Sequence, residues 1–224
     1  MKKIFLSYLL NEGLSAYGNG KRMSLEFPND QDKGDSCNGS EIFLPTHFGT
    51  HIDFPFHFSK KHKTSDKYYA QEFIFNNIQL IELVDFSKDD LLISVDVLKD
   101  SFGFVELNAD TELLIIKTGF CYKRNEDEYW EYNLGFDVGT AKYIKNIYPN
   151  IRAIAFDLIS LSSYQNRQIG RIVHKEYLLE EDIIIIEDVD LCEVSKVTKF
   201  EEIIISPLRI KKADGAPATI IATI

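Results

Sequence analysis

The sequence predicts a mixed α/β fold in which strands outnumber helices and form a mixed sheet or a barrel-like core. Two observations carry this prediction: short β-branched apolar runs recur along the whole chain, and helical patterns are fewer. Apolar residues make up 45% of the 224 residues and charged residues 27%, a balance typical of globular proteins with a sizeable core. We therefore expect one domain spanning residues 1–224, with a few flanking helices.

Each predicted strand is a short apolar run rich in Ile, Leu, Val and Phe. The first is the segment KIFLSYLL near the N-terminus, and the last lies at the C-terminal end of the chain. The predicted strands cover residues 3–9, 40–46, 78–85, 112–118, 151–157, 183–187, 202–206 and 219–223.

Three stretches have the signals of helices. Residues 94–101 follow the possible N-cap Ser94, residues 138–148 end before Pro149, and residues 174–180 form the third. Two polar segments, 10–39 and 158–172, lack clear periodicity. Long irregular segments in a compact domain are usually binding loops or lids, so we expect them near a functional site.

Charge and cysteine content narrow the function classes. The chain carries 25 Lys and Arg against 35 Asp and Glu, so its net charge is 25 − 35 = −10, which disfavours binding to nucleic acid. Cys37, Cys121 and Cys192 are odd in number and widely spaced. That pattern argues against a disulfide framework or a thiolate zinc site and favours a reducing compartment. We expect Cys121 and Cys192 to be small apolar residues rather than nucleophiles.

The N-terminal residues imitate a signal peptide, because two lysines precede an apolar stretch at residues 4–10. Asn11 and Glu12 interrupt this stretch at the short end of the usual range, so we expect a strand instead and a cytoplasmic protein. No apolar run approaches the roughly 20 residues needed to span a bilayer, so no membrane association is expected.

The stretch HFGTHIDFPFHF at residues 47–58 carries three of the five histidines and an aspartate. Polar or special residues and apolar residues alternate along it with period two, which is typical of a strand with one polar face and one buried face. The odd positions are His47, Gly49, His51, Asp53, Pro55 and His57, and the even ones are Phe48, Thr50, Ile52, Phe54, Phe56 and Phe58.

A helix would also bring His47 and His51 together, as in HExxH zinc sites. Pro55 would break that helix, however, and the phenylalanines would be spread around its circumference. In a straight strand, four residues span about 13 Å, which is at the limit for two imidazoles sharing one ion. We therefore predict a bend at Gly49, because glycine accepts backbone angles that other residues avoid.

With that bend, His47, His51 and Asp53 offer two nitrogens and one carboxylate. This mixed set suits Zn²⁺ or Mn²⁺ and leaves a coordination position open for water, as in catalytic sites. His57 lies four residues past Asp53 on the same predicted face, where it could exchange protons. The alternative is a half-buried strand whose histidines are merely solvated. His62, in SKKHKTSDK, is expected to be an exposed loop residue.

These residues resemble a known family. HFGTHIDFPFHF matches the HxGTHxDxPxHF motif of the cyclase-like metal-dependent hydrolases, a group that includes bacterial kynurenine formamidase and isatin hydrolase. IRAIAFDLISL at 151–161 is similar to the family's central strand and its Asp-x-x-Ser turn, HKEYLLEEDIIIIEDVDL at 174–191 to its His-led segment, and PLRIKKADGAPATIIA at 207–222 to its closing strands. The resemblance implies a swivelling β/β/α type of fold.

The resemblance implies one or two divalent ions per chain, Zn²⁺ or Mn²⁺. His47, His51 and Asp53 would bind the first, while Asp53 would bridge to a second held by His174 and Glu187. The sequence leaves simpler possibilities for this last pair: His174 could be exposed at a helix start, and Glu187 could cap a strand at the surface. A buried strand glutamate is nevertheless costly unless it is paired or ligated.

The resemblance implies that His57 transfers a proton during hydrolysis of an aryl formamide such as N-formylkynurenine, a small aromatic amide. Aromatic residues such as Tyr17, Phe58 or Trp130 could stack on the aryl ring, although Trp130 could equally lie at the surface. The alternatives are opening of a cyclic amide such as isatin, or a non-catalytic metal-binding or ligand-binding role. The family also forms homodimers or larger assemblies.

The chain departs from the family pattern at two places. The N-terminal loop reads LLNEGLSAYGNG rather than the usual proline-rich sequence, so Tyr17 is matched only loosely to the family's pocket aromatic residue. The aspartate expected two residues after the turn serine is replaced by Ser162.

Overall fold

The computed structural model describes residues 1–83 and 91–224, and short strands dominate it. The strands are β1 (Lys3–Phe5), β2 (Ser24–Asn29), β3 (Gly39–Phe43), β4 (His51–Asp53), β5 (Ile74–Phe75), β6 (Ile78–Glu82), β7 (Leu92–Ile93), β8 (Leu113–Lys117), β9 (Gly135–Phe136), β10 (Ala153–Phe156), β11 (Ile184–Glu187), β12 (Glu202–Pro207) and β13 (Gly215–Thr223).

The described α-helices are short and connect or flank these strands. They are α1 (Val95–Phe102), α2 (Glu128–Glu131), α3 (Thr140–Ile147) and α4 (Arg167–Lys175), and α4 continues into a π-helical turn at Glu176–Glu180. Single 3₁₀ turns lie at Tyr17–Asn19, Gln31–Lys33, Pro55–His57, Ser65–Lys67, Ala70–Phe73 and Phe120–Lys123.

Nine of the described strands form one mixed sheet. Its order is β5-β12-β13-β4-β11-β10-β8-β6, with β1 also paired to β13. The β6-β8-β10-β11 half is parallel, and the remaining pairs are antiparallel. The end strands β5 and β6 are consecutive in the chain, separated only by residues 76–77, so the sheet curves until its two ends approach. The predicted fold class, a strand-rich mixed or barrel-like sheet with few helices, is confirmed.

Alternating side chains of the parallel strands feed two separate apolar cores. On β8, Leu114 and Ile116 join the core that packs against helices α1, α3 and α4. Leu113 and Ile115 point to the opposite face and join the core enclosed by the curved sheet. Fully burying one such side chain stabilises the fold by about 1.5–3 kcal/mol. Strands buried on both faces explain the continuous apolar runs in the sequence.

Most of the predicted elements are found, with shifted ends. The strand predicted at residues 78–85 is β6, which ends at Glu82, and residues 84–85 lie outside the described part of the chain. The helix predicted at 94–101 is α1, and its N-cap Ser94 accepts a hydrogen bond from the Val97 amide. The helix predicted at 138–148 is α3. The first predicted strand is shorter than expected, because β1 ends at Phe5.

Two predictions about irregular segments are wrong. Residues 10–39 contain β2, which forms a hairpin with β3 and pairs Leu25 with Ile42. Residues 158–172 contain the start of α4, which begins at Arg167 rather than at residue 174. The start was missed because α4 is polar overall and buries only Gly170, Val173 and His174.

Across both described ranges, no helix combines the length and the apolar character that crossing a bilayer requires.

Candidate metal centre

Strand β4 places two of the predicted ligands on one face of the sheet. It lies between β11 and β13, so that His51 is opposite Glu187 and Asp53 is opposite Ile185 and Gly215. Ile52, between the two ligands, belongs to the core enclosed by the sheet. Because side chains alternate along a strand, His51 and Asp53 point to the other face, toward α4.

The chain bends immediately before β4, as predicted. Gly49 has φ +64, in the left-handed region that favours glycine. Its carbonyl accepts a 2.7 Å hydrogen bond from Nδ1 of His51. A Cβ atom at this position would lie 2.3 Å from Cδ2 of Leu10. The bend therefore orients the His51 ring, and a larger residue would be both strained and crowded.

The extended conformation predicted for the whole stretch is wrong after Asp53. Residues Pro55–His57 form a 3₁₀ turn, and the His57 amide donates to the Phe54 carbonyl at 2.8 Å. Pro55 favours this turn because its fixed φ suits the first helical position. His57 is therefore brought toward the site by a turn rather than by the alternation of a strand.

Four buried side chains meet at the centre of the site, two histidines and two carboxylates. Nε2 of His51 lies 3.4 Å from Asp53 and 3.3 Å from Glu187. Nε2 of His174 lies 3.5 Å from Asp53 and 3.4 Å from Glu187. Each imidazole nitrogen thus faces both carboxylates, and each carboxylate faces both imidazoles.

The other ring nitrogens are held by backbone carbonyls. Nδ1 of His51 binds the Gly49 carbonyl, and Nδ1 of His174 binds the Gly170 carbonyl, both at 2.7 Å. These bonds keep a proton on each Nδ1 and direct Nε2 at the carboxylates, the orientation that histidine ligands of metals commonly show. Nε2 of His51 is buried and has no hydrogen-bond partner among the described residues. The donor set fits Zn²⁺ or Mn²⁺.

Without an ion, the histidines and carboxylates perturb one another. Burial lowers the pKa of His174, but hydrogen bonds and charge from Asp53 and Glu187 outweigh it and raise that pKa to about 10. Burial also lowers the pKa of His51, but the nearby carboxylates of Asp53 and Glu187 raise it well above its ordinary value. Burial raises the pKa of Asp53, but His47 and the other two histidines hold it well below its ordinary value. The pocket therefore stabilises both carboxylates in the charged form that a cation requires.

His47 and His57 form a second, outer group. Nδ1 of His47 lies 2.7 Å from Asp53, and the two imidazole rings are 4.2 Å apart. Ligand atoms of His47, Asp53 and His57 lie close enough to hold one ion, as do those of His51, Asp53 and Glu187. Asp53 is common to both groups, and the bridging role expected for it stays a prediction. The structure thus brings together all six histidines and carboxylates that the sequence singled out.

Asp214 is a site residue that sequence reasoning missed. One of its oxygens, Oδ2, lies 3.0 Å from Nε2 of His47 and 3.0 Å from Nδ1 of His57. Burial lowers the pKa of His47, but charge from Asp53 and hydrogen bonds to Asp214 and Asp53 raise it to about 9. Asp214 immediately precedes Gly215, which is paired with Asp53 across the sheet. The ADG triplet offered a weak signal, because an aspartate before a glycine is common in ordinary turns.

Helix α4 carries His174 into the centre of the site near its C-terminal end. His174 is buried, so the exposed position considered from sequence is wrong. The close packing depends on Gly170, where a Cβ atom would lie 2.0 Å from Oγ of Ser162. Ser162 in turn lies 3.4 Å from Nδ1 of His174. A small residue on each element lets α4 approach the turn after β10.

Glu187 is also buried, which rules out a cap at the surface. Its Oε1 accepts a 2.6 Å hydrogen bond from the Leu161 amide. The next residue, Asp188, binds Arg124 at 2.7 Å and the Tyr129 hydroxyl at 2.6 Å. Burial raises the pKa of Asp188, and these two partners partly offset it. This network fixes the backbone that presents Glu187.

A cavity of about 450 Å³ opens onto the four central residues. Tyr17 and Phe58, the predicted substrate-binding residues, both line it. The Phe58 ring stacks on the His174 ring with centroids 4.8 Å apart. Trp130 is not part of the lining and instead packs edge-on against Tyr164 at 5.1 Å.

His62 lies in an exposed turn, as predicted, with Nδ1 at 2.8 Å from Oγ of Ser59.

Three basic residues of the cavity were not anticipated from the sequence: Lys21, Arg167 and Arg171. All three lie in the two segments that appeared irregular. Residues three and four apart on a helix are neighbours, so Arg167 and Arg171 share a helix face with His174. This was not predicted, because the helix was expected to begin only at residue 174.

Comparisons with known proteins agree with this geometry. Residues 4–163 match the family described as "Putative cyclase". The chain is 28% identical over 221 residues to cyclase-like protein 3 of Arabidopsis thaliana, covering 92% of this chain and 70% of that protein. It is 25% identical over 218 residues to kynurenine formamidase of Bacillus thuringiensis, covering 96% of this chain and 93% of that protein.

Among solved structures, a similar one is an isatin hydrolase bound to the product analogue thioisatinate. The TM-score is 0.78, the sequence identity 14%, and the match covers 100% of this chain and 92% of that one. At this identity the likeness concerns the fold alone.

Proposed function

This chain belongs to the putative cyclase family, and from that premise we propose that it is a divalent-metal-dependent amidohydrolase acting on an aryl formamide, similar to N-formylkynurenine. One observation carries the proposal. Two histidine Nε2 atoms and two carboxylates converge at 3.3–3.5 Å, buried at the base of a cavity large enough for a small aromatic molecule. The similarity to a bacterial kynurenine formamidase supports the substrate class.

His51, Asp53, His174 and Glu187 would hold one ion, with His47 beside Asp53 available for the same or a second one. A divalent ion bound there acts as a Lewis acid that polarises a carbonyl oxygen and lowers the pKa of a water molecule. The hydrogen bonds that His51 and His174 donate to the carbonyls of Gly49 and Gly170 keep these ligands oriented, because they fix the ring nitrogen that faces the ion.

Hydrolysis of a formamide breaks the bond between the formyl carbon and the nitrogen. The hydroxyl group of water adds to the carbon, and the nitrogen leaves as the amine after taking up a proton. His57 is suited to deliver that proton, because it lies at the cavity wall and only its Nδ1 is engaged among the described residues. Asp214 would orient the ring through that bond, leaving Nε2 to face the substrate.

The cavity walls support an aromatic substrate. Phe58 and Tyr17 border the space beside the central ligands, and flat rings prefer offset-stacked or edge-to-face contacts with an aryl group. Phe58 is itself fixed by stacking on His174. We propose that the aryl ring lies against these two residues while the formyl group approaches Asp53 and Glu187.

The test combines metal analysis with a substrate panel. Protein purified without chelators is analysed for bound metals, then assayed with N-formylkynurenine, formanilide and isatin in the presence of Zn²⁺ or Mn²⁺. Metal-dependent release of formate is the expected result. Turnover of isatin alone would replace the proposal with cyclic-amide opening. Bound metal without turnover of any substrate would indicate a non-catalytic member of the family.

A further inference from the structure

The wall of the cavity is unusually basic for a chain with a net charge of −10. Lys21, Arg167 and Arg171 line it, whereas Asp53 and Glu187 are its acidic lining residues. Both carboxylates belong to the central cluster, where a bound cation would offset their charge. The rest of the cavity then presents positive charge to whatever enters it.

Unlike Arg124 and Arg152, the two arginines have no carboxylate partner among the described residues. Arg124 pairs with Asp188 at 2.7 Å, and Arg152 with Glu112 at 3.4 Å. Within residues 1–83 and 91–224, no carboxylate forms a salt bridge with Arg167 or Arg171. Their guanidinium groups are therefore available to a ligand.

Arg167 is also held in place before any ligand arrives. Its guanidinium lies 3.9 Å from the centre of the Tyr164 ring and 5.9 Å from that of Tyr17. The loop that carries Tyr17 can approach because Gly18 has φ +64, and a Cβ there would be 3.2 Å from the Tyr164 ring. A guanidinium fixed between aromatic rings loses less side-chain entropy when it binds an anion.

The positions of Arg167 and Arg171 along α4 determine how far from His174 a bound anionic group would lie. Arg167, Arg171 and His174 lie on successive turns of the helix face that borders the cavity. At a rise of 1.5 Å per residue, Arg171 lies about 4.5 Å and Arg167 about 10 Å along the helix axis from His174. An anionic group several ångströms from the scissile bond would therefore lie within reach of one or both.

We propose that Arg167 and Arg171 bind a carboxylate on the substrate, so that the preferred substrates are aryl formamides bearing a carboxylate distant from the formyl group. Arginine matches the planar carboxylate with two parallel hydrogen bonds. This inference rests on the proposed function for the reaction, but the recognition of the carboxylate stands on the cavity alone. Binding of a carboxylate by the two arginines would also favour such a formamide over a neutral cyclic amide.

The experiment compares 3-formamidobenzoate with its neutral counterpart 3-formamidobenzamide, using formate release as the readout. The variants are the wild type, Arg167→Gln/Arg171→Gln, and the control Lys142→Gln, which removes one positive charge from the exposed surface of α3. For the double variant, we expect KM for the carboxylate substrate to rise about 10- to 100-fold, as for the loss of charge-assisted hydrogen bonds. For the neutral substrate, kcat/KM should change less than about twofold.

Equal losses for both substrates would mean that the arginines support the structure, and unchanged kinetics for both would mean that they do not bind the substrate. Either result overturns the inference. If the wild type releases no formate, the proposed function fails. The inference about the two arginines is then tested by measuring the Kd of benzoate and of benzamide by calorimetry. Benzoate must then bind the double variant at least about 10-fold more weakly than the wild type and the Lys142→Gln control, and an unchanged Kd overturns it.

Discussion

Nε2 of His51 lies 3.3 Å from Oε2 of Glu187, and the two residues face each other directly across the antiparallel pair β4 and β11. This register also determines the position of Asp53, which is two residues further along β4 on the same face. A slip of β4 by one residue would turn His51 and Asp53 away from α4 and from Glu187. The candidate metal centre is therefore a consequence of strand pairing between distant parts of the chain.

We predict that Glu187→Gln weakens metal binding more than about 100-fold, because loss of a direct ligand exceeds the 10- to 100-fold effect of outer-shell changes. Wild-type protein with metal at about 100 times its Kd gains about 2.7 kcal/mol of stability. In a chain of this size that gain raises Tm by about 5–10 °C. Metal analysis and thermal unfolding with and without Zn²⁺ measure both effects. Retention of the full metal content and of the Tm increase in Glu187→Gln would exclude Glu187 as a ligand.

His57→Ala should keep the metal and lose rate. His57 is exposed and outside the buried central cluster, so its removal leaves His51, Asp53, His174 and Glu187 in place. Loss of general acid–base catalysis lowers kcat by about 10²- to 10⁴-fold. Metal content and kcat are measured on the same preparation, with His51→Ala as the comparison that should lose metal. If His57→Ala also loses the metal, His57 is a ligand of the outer group rather than a proton donor.

Asp214→Asn tests whether Asp214 orients His57. The amide keeps the size of the side chain but removes the charge that faces Nε2 of His47 and Nδ1 of His57. We expect kcat to fall at least about 10-fold while KM changes little, because the proton donor loses its orientation and its charged partner. Steady-state kinetics over a range of pH measure this, and the pH–rate profile should shift relative to the wild type. A rise in KM with kcat and the pH–rate profile unchanged would place Asp214 in substrate binding instead.

Gly49→Ala should destabilise the protein more than Gly34→Ala. Both glycines have positive φ, +64 and +96, but a Cβ at Gly49 would meet Leu10 at 2.3 Å, whereas nothing lies within 4 Å at Gly34. Backbone strain costs about 1–2 kcal/mol at either position. The clash at Gly49 adds about 1–3 kcal/mol. Urea unfolding measures the difference, and equal effects would show that Leu10 adjusts without cost.

Much of the site was predictable because many of its residues lie close together in the sequence and form a recognisable pattern. The alternation and the histidine spacing of residues 47–58 indicated His47, His51 and Asp53, and the limited reach of a straight strand required the bend that is found at Gly49. The apolar runs predicted most strands, because strands buried on both faces need apolar side chains at every position. The roles assigned to the individual ligands stay predictions.

The sequence by itself determined the strand-rich α/β class, the bend at Gly49 and the ligand-rich strand, since each depends on residues adjacent in the chain. Only the tertiary structure decided that Asp214 contacts His47 and His57, that α4 begins at Arg167, and that Arg167 and Arg171 border the cavity. These features arise from residues that are distant in sequence and become neighbours only when the sheet curves and α4 packs against it. Such contacts cannot be predicted from the pattern of polar and apolar residues along the chain.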